Sequence, residues 1–231
     1  MILFLIYIFL KKYRKQNWTG ADLQISKFLK VRFAIIFLSL LIILLSLIPI
    51  LSKSQNQQLN YKIVQDGDDI GWLQLEKYIS GNTLNLLLIS EINTRYVFRI
   101  NVSAKETSTF ENGRMIFSSQ FRKTNGTTKV DKQTKLIADK YEVQENGEKE
   151  RLSFPFLGTN LLSLYLYEPA GTTIVYCDKH ECFLKISKTD DGGYSVKFPD
   201  GNSNCYYYKG GICNKIIINH TFYSAEIILK P

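Results

Sequence analysis

The chain has 231 residues, enough for one domain and an additional segment, with a formal net charge of +8, four cysteines and two histidines. The charge is unevenly placed: residues 1–54 carry eight Lys or Arg against the single acid Asp22, whereas residues 55–231 carry 21 against 20. The basic excess belongs to the N-terminal segment, so the remainder lacks a phosphate-binding surplus and nucleic acid is not an expected partner.

Met1 to Leu10, "MILFLIYIFL", is apolar but too short to span a bilayer. It reads either as an over-extended start, with the protein beginning near Leu29 or Val31, or as a short membrane-associated helix ahead of a basic loop. Phe33 to Leu51, "FAIIFLSLLIILLSLIPIL", is 19 residues without a charge, about the length of a membrane-crossing helix. Lys27, Lys30 and Arg32 precede it and Lys53 follows, so the N-terminus is expected in the cytoplasm and the rest across the membrane.

Two outcomes fit. A retained helix gives a single-pass inner-membrane protein with its C-terminal domain in the periplasm. Cleavage before Gln55, where Ser52 and Ser54 offer small residues, gives a protein secreted to the periplasm or outer envelope. The first cysteine is Cys177, which excludes a lipid-modified cysteine just after the apolar run. The expected plan is a basic cytoplasmic segment 1–32, a transmembrane or signal-peptide helix 33–51, a polar linker 52–58 and an exported domain 59–231.

Beyond Leu51 the pattern becomes period two, as in half-buried strands. Leu73 and Leu75 share a face, with Gln74 and Glu76 opposite. Tyr96, Phe98, Ile100 and Val102 alternate with Arg95, Arg99, Asn101 and Ser103, Val97 being the exception. Asn-Gly pairs at 112–113, 125–126 and 146–147, and Asp-Gly pairs at 66–67, 191–192 and 200–201, supply the positive φ angles of tight hairpins. "TSTFENGRMIFSSQFRKTNGTTKV" therefore predicts three consecutive antiparallel strands.

The one expected helix is short, Thr159 to Tyr165, with Thr159 or Asn160 as its cap and Pro169 as a stop. These elements predict an all-β domain: an antiparallel meander of about ten strands forming a barrel, half-barrel or curved sheet.

Catalytic signatures are sparse. There is no phosphate-binding glycine loop, nucleophile elbow or His-Glu-x-x-His helix, and no cofactor is expected. Asp66, Asp68 and Asp69 read as a solvated turn, since a calcium loop needs further spaced oxygen ligands. Gly147 to Arg151 reads as an exposed strand or turn. Tyr165, Tyr167, Tyr206, Tyr207 and Tyr208 fit core packing better than a stacking platform.

"YCDKHECF", residues 176–183, is the most chemically loaded stretch. A four-residue loop at Asp178–Glu181 would set Cys177 opposite Cys182 at a Cα separation a disulfide accepts. In an exported domain Cys177, Cys182, Cys205 and Cys213 read first as two disulfides. For the second pair the turn decides. A loop at Tyr208–Gly210 sets Cys205 opposite Cys213, whereas a Gly210–Gly211 turn sets Cys213 opposite Tyr208 and Cys205 on the other face. Zinc held by the four thiolates and a Cys–His catalytic pair are weaker readings of the same spacing.

"LYLYEP" at 164–169 and "YSVKFPDGNSNCYYYKGG" at 194–211 resemble the LYF-x-EP block, PDG turn, N-x-Y-x-Y strand and final glycine turn of an uncharacterised domain-of-unknown-function family of exported Bacteroidetes proteins. Ile70-Gly71, Phe110, Asn112-Gly113, Ser118 and Asn125-Gly126 also fit, and the resemblance covers roughly residues 59–229. Gly210 stands where the family pattern has Asn. The resemblance implies an exported antiparallel β-sheet protein and no particular reaction, ligand or partner.

The expected function is a non-enzymatic envelope module, bound to the membrane by its N-terminal helix, that binds an apolar ligand such as a lipid, or an envelope component such as a protein, in or across its sheet. The alternatives are a structural or protein-interaction module, an envelope hydrolase using paired carboxylates, and a redox protein using Cys177 and Cys182.

Overall fold

The computed structural model describes residues 56–231 apart from 96–98 and 155. The membrane or signal helix at 33–51, the N-terminal apolar run and the Tyr96–Phe98 part of the alternating stretch lie outside the described residues. Among the described residues no helix is long and apolar enough to cross a membrane.

The strands are β1 (Gln57–Gln65), β2 (Asp68–Ser80), β3 (Thr83–Arg95), β4 (Arg99–Glu111), β5 (Arg114–Thr124), β6 (Thr127–Ile137), β7 (Lys140–Glu145), β8 (Glu148–Leu152), β9 (Ile174–Cys177), β10 (Cys182–Lys188), β11 (Tyr194–Lys197), β12 (Ser203–Lys209), β13 (Ile212–His220) and β14 (Tyr223–Leu229). All belong to one antiparallel 14-stranded sheet in the order β8-β7-β6-β5-β4-β3-β2-β1-β14-β13-β12-β11-β10-β9. Two meanders, β1–β8 and β9–β14, are joined where β1 pairs with β14. The sheet is not closed: β8 and β9 are its edges, so of the barrel, half-barrel and curved-sheet alternatives the closed barrel is set aside.

The expectation of about ten strands falls short for a local reason. Asn112, Asn125, Asn146 and Asp66 and the glycines after them all take positive φ, as hairpin chemistry requires. The turn at Ala138-Asp139, however, takes φ of 45° and 65° without a glycine, and nothing in the sequence announces it. The run from Arg95 to Ser103 is also two strands rather than one, because Arg95 and Arg99 are ladder partners of β3 and β4.

Gly71 shows why glycine is needed within a strand. A Cβ there would lie 2.1 Å from the Glu91 carbonyl oxygen of β3, at the place where the β1–β2 register shifts.

One face of the sheet forms the core, with Leu73, Leu75, Leu86, Phe110, Met115 and Tyr141 from one meander and Val196, Tyr206, Ile216 and Ile227 from the other. The connection from β8 to β9 runs into this core and fills it with Leu157, Leu162, Leu164 and Leu166. Among its described residues the one helical piece is the 3-10 turn Leu161–Tyr165, capped by Asn160 through a reciprocal capping box with Ser163. Tyrosine hydroxyls strut the filling: Tyr208 donates to the Leu164 carbonyl at 2.7 Å. Tyr141 donates to the Met115 carbonyl and accepts from the Leu157 N–H.

The sheet curls strongly. β5 and β9 are ten positions apart in strand order, and at roughly 4.8 Å per strand a flat sheet would separate them by about 50 Å. Yet Ser118 of β5 hydrogen-bonds to Asp178, the first residue after β9.

Candidate functional site

The register of β2 to β7 lays a chemically distinct row across the inner face. Leu75, Leu88, Glu106, Gln120, Lys132 and Glu145 are successive ladder partners. The adjoining row is Leu86, Ser108, Ser118, Thr134 and Val143. An apolar inner face thus becomes polar from β4 onward, and buried polar groups demand partners.

The partners come from the β9–β10 hairpin. Asp178 to Glu181 form the expected four-residue turn, and Cys177 and Cys182 are Cα partners. The buried Asp178 carboxylate accepts from Ser118 Oγ and from Asn160 Nδ2, the latter at 3.2 Å. Asn160 Nδ2 also lies 2.7 Å from Ser108 Oγ. Lys132 Nζ, almost wholly buried, reaches Glu181 at 2.5 Å and Glu145 at 3.0 Å, and donates to the Lys179 carbonyl at 3.4 Å. The turn is therefore a clasp that ties the β9 edge to β5 and β6 by side chains, where no backbone ladder runs.

The electrostatics follow from this enclosure. Burial raises the Asp178 carboxyl, opposed by the hydrogen bonds from Ser118 and Asn160. Half-buried Glu106 is pushed up to about 7, first by burial and then by Asp178, against the hydrogen bond from Gln120 and the charge of Arg122. Burial works against the Lys132 ammonium, but Glu181 and Glu145 more than offset it and its pKa rises. The Tyr176 hydroxyl, also buried, sits beside Thr134 Oγ1 without a hydrogen bond of ordinary geometry.

Of the other loop residues, Lys179 is exposed, whereas His180 is partly buried and packs toward Phe198 and Asp200. Lys179 Nζ pairs with Asp200 at 2.9 Å, and His180 Nε2 lies 3.6 Å from the same carboxylate. Among the described residues no group of three or more His, Cys, Asp or Glu is placed to hold a metal ion. His180 is thus directed away from the core position of Cys177 and toward Asp200.

All four cysteines are free thiols. The turn after β12 is Gly210-Gly211, so Cys213 lies opposite Tyr208 while Cys205 lies opposite Ile217 on the other face. The local Cys205–Cys213 pairing is therefore not made. Burial raises the Cys213 thiol to about 12 and the Cys177 thiol to about 11. Asp66, Asp68 and Asp69 are exposed at their turn, and Glu148 to Arg151 form an exposed edge. Tyr206 is core, whereas Tyr167 is exposed.

Glu106, Lys132 and Ser108 do not stand out in the sequence, and Ser118 does so only as part of the family pattern, not as a site residue. Their signal is a polar residue on the core side of an alternating strand, readable only when the register is known.

Two recesses lie away from this cluster. One, of about 430 Å³, is on the outer face of β2–β5 and is lined by Tyr78, Asn85, Leu87, Thr107, Thr109 and Phe117. The other, of about 260 Å³, lies by the β6–β7 turn at Ile137, Tyr141 and Arg151. In the first, Tyr78, Asn85, Thr109 and Phe117 are successive ladder partners, with Thr109 Oγ1 donating to Asn85 Oδ1 at 2.9 Å.

A family model described as domain of unknown function (DUF6134) matches residues 61–230. No curated protein matches the chain. Among solved structures, a beta-barrel-like protein of domain of unknown function DUF1849 from Brucella abortus is similar at 12% identity and a TM-score of 0.49, covering 75% of this chain and 95% of that one.

Proposed function

The chain belongs to the DUF6134 family, whose name carries no activity, and we propose that it is a non-enzymatic binding module that engages an envelope component across the outer face of β2–β5. The observation that carries this reading is the recess of about 430 Å³ on that face, with Tyr78 and Phe117 at either side of polar Asn85 and Thr109. The inner face is a poorer seat for an apolar ligand. Its centre is filled by Leu157, Leu162 and Leu164, and its β4–β7 part is charged. Aromatic side chains beside hydrogen-bonding groups suit a partner with both apolar and polar surface. The proposal includes a membrane-bound or secreted state in a bacterial envelope, of the Bacteroidetes kind that the sequence resembles.

The test is site-specific photo-crosslinking of the full chain in its own envelope, from Leu87 on the outer face and, as a control, from the exposed β8 edge at Lys149. An adduct from Leu87 alone, weakened by Tyr78→Ala and Phe117→Ala, supports the reading and names the component. Adducts from neither position, with a reproducible small-molecule mass in native mass spectrometry, would move the ligand inside the fold and overturn it.

One observation favours a second reading, a carboxylate-dependent hydrolase. Glu106 and Asp178 lie near enough on the inner face for the Asp178 carboxylate to push the Glu106 carboxyl up. Asp178 is committed to Ser118 and Asn160, so Glu106 alone would have to serve as the acid.

A further inference from the structure

Cys177 and Cys182 are directly opposed in the β9–β10 ladder, and opposed ladder positions hold their Cα atoms about 4.5–5.5 Å apart, inside the range of a disulfide. Side chains of opposed residues lie on the same face of the sheet. The Cys182 thiol also bears electrostatically on that of Cys177. Between them stands the turn whose Asp178, Lys179 carbonyl and Glu181 hold β5 and β6. We propose that Cys177 and Cys182 are a redox site that forms a disulfide by exchange with a protein of the thiol–disulfide oxidoreductase class, and that this bond locks the clasp across the open sheet. The inference is independent of the outer-face reading.

The two thiols differ in access, which sets the order of steps. Cys177 is fully buried and Cys182 only partly so. The Cys182 thiolate attacks the oxidoreductase disulfide, forming a mixed disulfide and releasing one oxidoreductase thiolate. The Cys177 thiolate then attacks Cys182 Sγ and expels the second. Two protein thiols are oxidised, one external disulfide is reduced to two thiols, and the two protons pass to the leaving thiolates. The pair Cys205 and Cys213 takes no part, because its members face opposite sides of the sheet.

The test uses the full chain, reduced and then exposed to oxidised glutathione as the probe disulfide, with intact mass and alkylation mapping as readouts. The expected result is loss of two hydrogens, protection of Cys177 and Cys182 together, and slower proteolysis at Lys179 in the oxidised form. Cys177→Ser should trap glutathione on Cys182, whereas Cys182→Ser should take up none at Cys177. If Cys177→Ser does not fold, the Cys205→Ser/Cys213→Ser double variant still decides, because it must lose two hydrogens. Continued alkylation of Cys177 or Cys182 after oxidation, or a bond from either to Cys205 or Cys213, would overturn the proposal.

Discussion

Ser118 Oγ of β5 donates to the carboxylate of Asp178, which directly follows β9, although β5 and β9 stand ten positions apart in the sheet. The curl of the sheet brings them together, and the bond in turn helps to hold the curl.

Removing the acceptor should be costly. Asp178→Ala leaves the Ser118 hydroxyl and the Asn160 amide without it, which should destabilise the domain by about 2–4 kcal/mol. Asp178→Asn keeps the shape and should lose less. Urea unfolding of the full chain followed by tryptophan fluorescence checks both, and a smaller effect for Ala than for Asn would contradict the clasp.

The raised Glu106 carboxyl gives stability a pH slope. A carboxyl that binds its proton more tightly when folded contributes stability fully present below its unfolded value and lost as pH rises through its folded value. For Glu106 the window runs from 4.5 to about 7. Glu106→Gln should flatten that window and, at pH 8, be more stable than the natural chain by about 1–3 kcal/mol after allowance for its partial exposure. Midpoints in urea at pH 5 and pH 8 give the comparison; equal slopes for the two chains would refute it.

Lys132 is the cation between Glu145 and Glu181. Lys132→Met should cost about 2–3 kcal/mol, because it strands the two carboxylates that remain. Since the lysine's pKa is raised, its contribution is complete below the unfolded value of 10.5 and is lost only as pH climbs through the higher folded one. The penalty should therefore be flat from pH 6 to pH 9. A double-mutant cycle with Glu181→Gln should return a favourable coupling.

Gly71→Ala tests the sheet rather than the clasp. The new Cβ would fall on the Glu91 carbonyl oxygen, and relieving that overlap means moving the backbone of β3. A loss of about 2–4 kcal/mol is expected, read as a lower thermal midpoint, whereas an alanine at the open turn residue Gly67 should show only the strain of its positive φ.

These outcomes rest unequally on what the sequence displays. The hairpins at Asn112-Gly113, Asn125-Gly126 and Asn146-Gly147 are legible because their chemistry is local, and so is the Asn160 cap. The Ala138-Asp139 turn is not, since its φ angles are imposed by the strands on either side. The turn at Asp178–Glu181 could be read, but not the direction of its side chains. Asp178 turns inward only because Ser118 and Asn160 wait there, brought by segments far away in the chain. Glu106 is the extreme case: within β4 it is one polar residue among several, and only the registers of β4 with β5 and of β5 with β6 align it with Gln120 and Lys132.

The joining of β1 to β14 governs the order of assembly. Within each meander, neighbours in sequence are neighbours in space, and such short loops close quickly. The ladder that sets Tyr61 beside Leu229 instead closes a loop containing all twelve other strands. That pairing should be slower than the local hairpins, because it cannot form until β14 is available. Until then β1 stands as an unpaired edge bearing Leu59, Tyr61 and Ile63, the form in which this chain is most exposed to mispairing with its own copies.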